Sequence, residues 1–505
     1  MKHTLPISAE RWAAAAFLTL VAGLFAGVAV ASFSSSLALC LVVAAACPLA
    51  FTAQVARRLP VDFDGSFGRR RALSALWLLV AALAVARLAG LALFMVDPTQ
   101  PQLSPMWFDP FYLEHSCFSA WWKAARLVAA NTPNIYDIDL YGDYEGRFNI
   151  DEYLYPPQFL ILPQAMLATG ADFLQIRAGW YAAEGLLFLV AMLALCAWIG
   201  GGVGRRAALW TPAVWLASPV LMTLQTGNFQ LAALSMSVLA MTLFERRRFA
   251  AGGALLGFAV LKIFPGVLCA YLLFARRWRA LAWTVGFTLA YTAIAAVTVG
   301  PKPFHAFIDL VLPRMAGGEL WWSWLDAPDA TYVSTINDSI PALILKLKVL
   351  GVQGIDHHML SVASTAWSLV VVACAWLAAR NAPAESRWSQ GACWIGLLGL
   401  AALRSPFVPD QYGLLPALWI WSLLPAVAGV ARSRIALVIA AWAAFAMVVP
   451  FSRFRAHGLL DLAMAWSTAS QLLMVGLLLW VIVRLKRVHR DAPAAALPAR
   501  RATAS

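Results

Sequence analysis

Long apolar runs, each closed by a short polar or basic stretch, set the rhythm of this chain. They begin near residues 12, 36, 73, 177, 207, 229, 280, 358, 390, 411, 434 and 461. A helix needs ~20 apolar residues to cross a hydrocarbon core ~30 Å thick. The pattern therefore predicts an all-α polytopic membrane protein with on the order of 12 to 14 crossings. The first run, Trp12 to Ala31, ends in Ala29-Val30-Ala31 in the manner of a cleavable leader. It is too long for a leader's apolar core, and a second run follows at once, so an uncleaved anchor is expected. Between Arg248 and Arg276 one apolar stretch is interrupted by Lys262-Ile263-Phe264-Pro265-Gly266. Pro265 and Gly266 break a helix there, which predicts two short helices with Lys262 near their turn; a single kinked span is the alternative.

Composition supports the membrane reading. Hydrophobic residues make up 62% of the 505 and charged residues 12%, with a mean hydropathy of +0.73. So few charges could not cover a water-facing surface of this size. The net charge of +13 does not mark a nucleic-acid partner, because the basic residues are scattered in clusters between the runs. These are Arg57-Arg58, Arg69-Arg70-Arg71, Arg205-Arg206, Arg246-Arg247-Arg248, Arg276-Arg277 with Arg279, Arg432 with Arg434, and Arg484-Lys486-Arg487. Assigned to the cytoplasm by the positive-inside rule, they put both termini inside. Two stretches, about 96–176 and 300–356, then face outward, and loops of that length are usually functional. The tail after Asp491, rich in Ala, Pro and Arg, is expected to be disordered.

The chemistry is expected in those outer loops. Nine of the chain's 25 acidic residues lie between Asp97 and Glu152, opposed only by Lys123, Arg126 and Arg147. Cytoplasmic bias in Lys and Arg accounts for most of them. Glu114 and His115 stand out because aromatic residues surround them. Phe118, Trp121, Trp122, Ala125 and Val128 then recur at helical spacing, as in a helix lying at an interface. A carboxylate there suits a general base, and an N-cap is the plain structural alternative. Lys262 and Arg404 are cations on the side where cations are scarce, which marks both as candidates for an anionic ligand; snorkelling is the plain alternative for Lys262. The seven cysteines show no C-x-x-C or Cys/His cluster, so neither a disulfide framework nor a structural zinc is implied. No Gly-rich nucleotide loop is present either.

Several short elements, in order, carry a resemblance. They are Ser119-Ala120-Trp121-Trp122-Lys123-Ala124-Ala125-Arg126, Asn134-Ile135-Tyr136-Asp137, and Tyr155-Pro156-Pro157 leading to Leu162-Pro163. Gly227-Asn228-Phe229-Gln230, the Gly-rich Ala251 to Gly257, Lys262-Ile263-Phe264-Pro265 and Arg277-Trp278-Arg279 follow, then Ser334 to Ser339 and Arg404-Ser405-Pro406. Together, over about 73 to 430, these resemble glycosyltransferase family 87, whose members are similar to polyprenol-phosphate-mannose-dependent mannosyltransferases of the GT-C superfamily. Two departures are visible. The family places an Asp shortly before the aromatic-Ala-Ala segment, where this chain has Cys117 and Phe118. Its Gly-Gln-x-Asn element appears with Asn228 and Gln230 exchanged.

The resemblance implies a GT-C-like helix bundle over 73–430, preceded by an N-terminal hairpin region, 1–72, and followed by a C-terminal hairpin, 431–490, and the tail 491–505. It implies transfer of a sugar, mannose foremost, from a polyprenyl-phosphate carrier to an acceptor hydroxyl, with inversion, on the periplasmic face of a bacterial inner membrane. Glu114 is then the first choice for the base, assisted by His115, with Asp109 the second. Lys262 and Arg404 would hold the donor phosphate; Asp151, Asn228, Gln230 and Asn337 would meet sugar hydroxyls. The partners would be the bilayer, the lipid-linked donor and a glycan or glycolipid acceptor, with no cofactor; the acid-rich loop leaves a divalent metal open, although no metal-ligand spacing supports one. Two rivals remain at this stage: a lipid or glycan transporter or flippase, and a polymerase or ligase of lipid-linked glycans.

Overall fold

The computed structural model describes residues 7–34, 36–59, 71–317, 319, 330–381, 386–428 and 435–483. The tail from 491, like the clusters at 69–70, 432–434 and 484–487, falls outside them. Among the described residues the chain is all-α apart from one miniature sheet, and it is a polytopic membrane protein. Seven helices are long and apolar enough to cross a bilayer, including Ala9–Ala31, Phe173–Ile199 and His357–Asn381. An eighth is gained if Gly201–Trp215 and Ser218–Thr226, bent by 63° at their junction, form one broken span.

That is fewer than the dozen runs in the sequence suggest. Helix length accounts for three of the four runs that drop out; the fourth, Asp410–Ala428, has 19 residues but opens on polar residues and carries Pro416 and Pro425. Gln230–Glu245 and Arg387–Ala402 have 16 residues each, and Ile435–Ala446 has 12. At ~1.5 Å per residue, 16 residues reach only about 24 Å. The first two are buried along nearly their whole length, so their apolarity serves the protein interior as well as a lipid face.

The segment between the helices Arg71–Val96 and Phe173–Ile199 folds into a cap. It contains a short helix, Pro110–Glu114, and the helix Phe118–Ala129. The sheet is formed by β1 (His115–Ser116), β2 (Tyr144–Glu145) and β3 (Phe148–Ile150), in the order β1-β3-β2. The helix Phe118–Ala129 has the amphipathic spacing expected of it, but its apolar stripe is buried in protein. Trp121 stacks among Tyr155, Phe159, Trp180 and Phe229, at ring separations of 5.3–5.7 Å. The polar side of that helix is tied down within the acidic loop: Lys123 pairs with Asp143 at 2.8 Å and Arg126 with Glu145 at 3.1 Å. Two of the loop's nine carboxylates are thus paired locally.

The predicted break near Lys262 is present. The helices Phe249–Ala259 and Gly266–Phe274 are separated by a 3-10 turn, Val260–Lys262, and three further residues. Ile263 has φ +74° and ψ −60°, and the Phe264 amide donates to the Lys262 carbonyl at 3.0 Å. This is a γ-turn of the rare, strained kind, and a β-branched residue occupies it. Gly253 and Gly257, four residues apart on the incoming helix, let it press onto Trp278–Thr298. A Cβ at Gly257 would lie 2.9 Å from the Thr284 carbonyl, and one at Gly253 2.7 Å from Trp283. Close packing therefore fixes the rod that carries Lys262.

Candidate active site

The miniature sheet brings together side chains that are far apart in sequence. β1 and β3 run parallel with His115 opposite Asn149 and Ser116 opposite Ile150. Continued by one residue, that register sets Cys117 against Asp151. The result is a cluster: His115 Nδ1 lies 3.3 Å from Asp151 Oδ1, and His115 Nε2 lies 3.4 Å from Cys117 Sγ. Cys117 Sγ is in turn 3.2 Å from the Tyr412 hydroxyl, which sits 3.0 Å from Thr226 Oγ1. Phe111 stacks on the imidazole with ring centroids 4.6 Å apart.

Ser119 holds this junction. Its hydroxyl is fully buried, donates to the Ser116 and Asn149 carbonyls at 2.5 and 3.1 Å, and accepts the Asp151 amide at 2.9 Å. One side chain thus fixes β1, β3 and the backbone of Asp151. The carboxylate itself remains 23% exposed and the imidazole 18%. Burial alone would push His115 down, but the Asp151 carboxylate and the neighbouring Cys117 sulfur, which also shares a hydrogen bond with the ring, outweigh it and raise the imidazole to about 9.

Lys262 arrives from the other side. Its ammonium donates to the Tyr155 hydroxyl at 2.8 Å and lies 4.0 Å from the centre of the Tyr155 ring. Cys117 and Glu184 are within electrostatic reach of it, as Asp151, Cys117 and Glu184 are of Tyr155. Glu184 is buried in the helix Phe173–Ile199. It accepts the Ala232 amide at 3.0 Å with one oxygen, and its other oxygen lacks a hydrogen-bond partner among the described residues. Sequence reading passed over Glu184, although a carboxylate inside a 27-residue apolar helix is itself a signal. It also passed over Cys117, Tyr155 and Tyr412.

The other expected residues lie as follows. Glu114 closes its short helix, is exposed, and makes no side-chain hydrogen bond or ion pair among the described residues, so the structure does not bring it into the cluster with its neighbour His115. Asp109 is the N-cap of that helix, accepting the Phe111 amide at 3.2 Å, and it also accepts the Ser452 hydroxyl at 2.7 Å. This is a structural clamp between the first loop and a late segment. Asn337 is wholly buried and fully engaged: Oδ1 accepts the Ser339 and Val408 amides, and Nδ2 donates to the Pro406 carbonyl. It shapes the turn leading to Tyr412. Arg404 is exposed, with its Nε donating to Ser368 at 2.8 Å. Asn228 accepts the Gln230 amide at the start of the helix Gln230–Glu245, and Gln230 is buried beside it.

A helical bundle with a folded cap, and a carboxylate, imidazole, thiol and ammonium gathered beneath it, defines a polytopic membrane protein with a concentrated polar site. Residues 153–406, half of the chain, match glycosyltransferase family 87, and the chain belongs to that family. It is accordingly a membrane glycosyltransferase. The match includes Tyr155, Glu184 and Lys262 and begins two residues after Asp151, so the His115–Cys117–Asp151 cluster lies just ahead of it. No curated protein and no solved structure matches the chain.

Proposed function

We propose that this glycosyltransferase moves a sugar, mannose foremost, from a polyprenyl-phosphate carrier to an acceptor hydroxyl at the periplasmic face of a bacterial inner membrane. One observation carries the reading. Lys262, 107 residues beyond Tyr155, is held at 2.8 Å by that tyrosine, which follows Asp151 of the His115–Cys117–Asp151 cluster by only four residues. A cation for a phosphate and a carboxylate for a hydroxyl proton are the two groups that the transfer needs. The arginine clusters support the sidedness, since Arg246–Arg248 and Arg276–Arg279 flank the far ends of the two short helices that meet near Lys262.

In this mechanism Asp151, held by His115, takes the proton from the acceptor hydroxyl. The acceptor oxygen forms a bond to the anomeric carbon from the face opposite the phosphate. The bond from that carbon to the phosphate oxygen breaks, and its electron pair leaves on the carrier phosphate, which Lys262 neutralises. Configuration inverts. Glu114 and Asp109 have no part in these steps, and Arg404 is left to the approach of the donor.

The test is transfer from radiolabelled polyprenyl-phosphate mannose to a panel of glycan and glycolipid acceptors. Asp151→Asn is expected to abolish it, Glu114→Gln to leave it within about twofold, and Lys262→Ala to weaken apparent donor affinity roughly tenfold or more. Wild-type turnover in Asp151→Asn removes that residue as the base. No transfer by the wild-type protein from any polyprenyl-phosphate sugar removes the donor assignment.

A further inference from the structure

His115, Cys117 and Asp151 offer an imidazole nitrogen, a sulfur and a carboxylate oxygen, all lying within 4.8 Å of one another. We propose that the three form a binding site for one divalent transition-metal ion of the zinc class. Zinc bonds of about 2.0–2.3 Å in a tetrahedron put neighbouring ligand atoms roughly 3.3–3.6 Å apart. The sulfur lies 3.4 Å from one imidazole nitrogen and the carboxylate 3.3 Å from the other, so through a single nitrogen the three donor atoms spread over as much as 4.8 Å and must draw together by roughly 1 Å to close on an ion. The ring stands between the other two with one nitrogen toward each. A turn about its Cβ–Cγ bond presents a single nitrogen to the ion.

The donor set selects the metal. Sulfur together with imidazole favours zinc or cobalt over magnesium and calcium, which take oxygen ligands. Three protein ligands leave the fourth position of a tetrahedron open, as in catalytic rather than structural sites. The surroundings are those of a supported site: the Tyr412 hydroxyl lies on Cys117 Sγ and Ser119 fixes the backbone of Asp151. Two of the ligands stand on β1 and its continuation and the third follows β3 by one residue, so the sheet brings the three side chains together before the imidazole turns. Binding of the ion is a property of these three residues, whatever sugar or carrier the protein uses.

The experiment loads the purified full-length protein, in detergent, with Zn²⁺ or Co²⁺ alone, removes excess ion by dialysis, and measures retained metal. About one equivalent is expected per chain. The Co²⁺ form should show a near-ultraviolet sulfur-to-cobalt band. His115→Ala and Cys117→Ser should each weaken retention about tenfold or more, by analogy with the loss of a supporting group. Cys117→Asp, a ligand of nearly the same size, should retain metal while losing the sulfur band, which separates lost ligation from lost folding. Wild-type protein that holds no ion, or retention unchanged in His115→Ala and Cys117→Ser, overturns the site. Neither result depends on transfer activity, so the site and the polyprenyl-phosphate reading stand or fall separately.

Discussion

Replacing Ser119 with alanine is the sharpest probe of how the cap holds its carboxylate. The hydroxyl supplies one proton, shared between the carbonyls of Ser116 and Asn149, and one acceptor for the Asp151 amide. Ser119 is wholly buried, so water cannot take its place without the site opening. A buried amide left without a partner costs about 1–3 kcal/mol, and the shared donated bond adds about 1 kcal/mol. The local loss is therefore on the order of 2–4 kcal/mol, concentrated at the β1–β3 junction. Most of it should appear as displacement of Asp151 rather than global unfolding, because the sheet is small and the bundle below it is large. A misplacement of about 1 Å at a reacting group can cost about 100-fold in rate. Turnover in Ser119→Ala should accordingly fall about 10- to 100-fold, while apparent donor affinity stays within about twofold, since Lys262 is held by Tyr155 and not by the sheet. Amide hydrogen exchange should quicken across residues 115–117 and 149–151. Ser235→Ala is the control: Ser235 is equally buried, but its hydroxyl serves only the Leu231 carbonyl of its own helix. Wild-type turnover with Ser119→Ala, or equal losses in both variants, would refute the claim that Ser119 positions the carboxylate.

Three further outcomes follow from the same structure. A Cβ at Gly257 meets backbone of the neighbouring helix at 2.9–3.0 Å, so Gly257→Leu should force the two helices apart; overpacking costs about 1–3 kcal/mol, readable as a lowered melting temperature and weaker donor binding through a displaced Lys262. Asn337→Ala strips three hydrogen bonds from the turn before Tyr412 and should destabilise the protein by about 2–4 kcal/mol in a thermal-shift assay, whereas Arg404→Ala, at an exposed position nearby, should leave melting almost unchanged. With divalent ions chelated, the imidazole of His115, raised from its ordinary 6.5 to about 9, binds its proton more tightly in the folded state than in the unfolded one. Its stabilising contribution is full below about pH 6.5 and is lost as pH rises through 9; a His115→Asn variant whose melting falls just as steeply between pH 7 and 10 would show that another group is responsible.

The fold was legible wherever a local signal matched a local structure. Pro265 and Gly266 announced the break beside Lys262, and the long runs announced the bundle. The span count was not legible, because an apolar run of 16 residues reads alike whether it faces lipid or protein. Lys262 was found by its isolation at membrane depth, and the same reasoning applied to Glu184 would have found it too. Glu114 drew attention because aromatic neighbours suggested a desolvated carboxylate, yet it is exposed at the end of a five-residue helix. Asp151 was marked only for sugar contact, because its partnership with His115 depends on strands of two and three residues. Elements so short carry no periodicity, and their register, which joins positions 34 residues apart, is fixed by the folded cap and by Ser119.

The hydrogen bond between Tyr155 and Lys262 also sets a timetable for biosynthesis. Tyr155 leaves the ribosome 107 residues ahead of its partner. During that interval the cap has emerged, with Trp121, Tyr155 and Phe159 still waiting for Phe229 and for the segment bearing Lys262. Every chain therefore passes through a stage with a half-built aromatic surface. Protease cleavage within the cap should be prominent in nascent chains stalled before residue 229, and should fade in those long enough to have inserted the helix ending at Ala259.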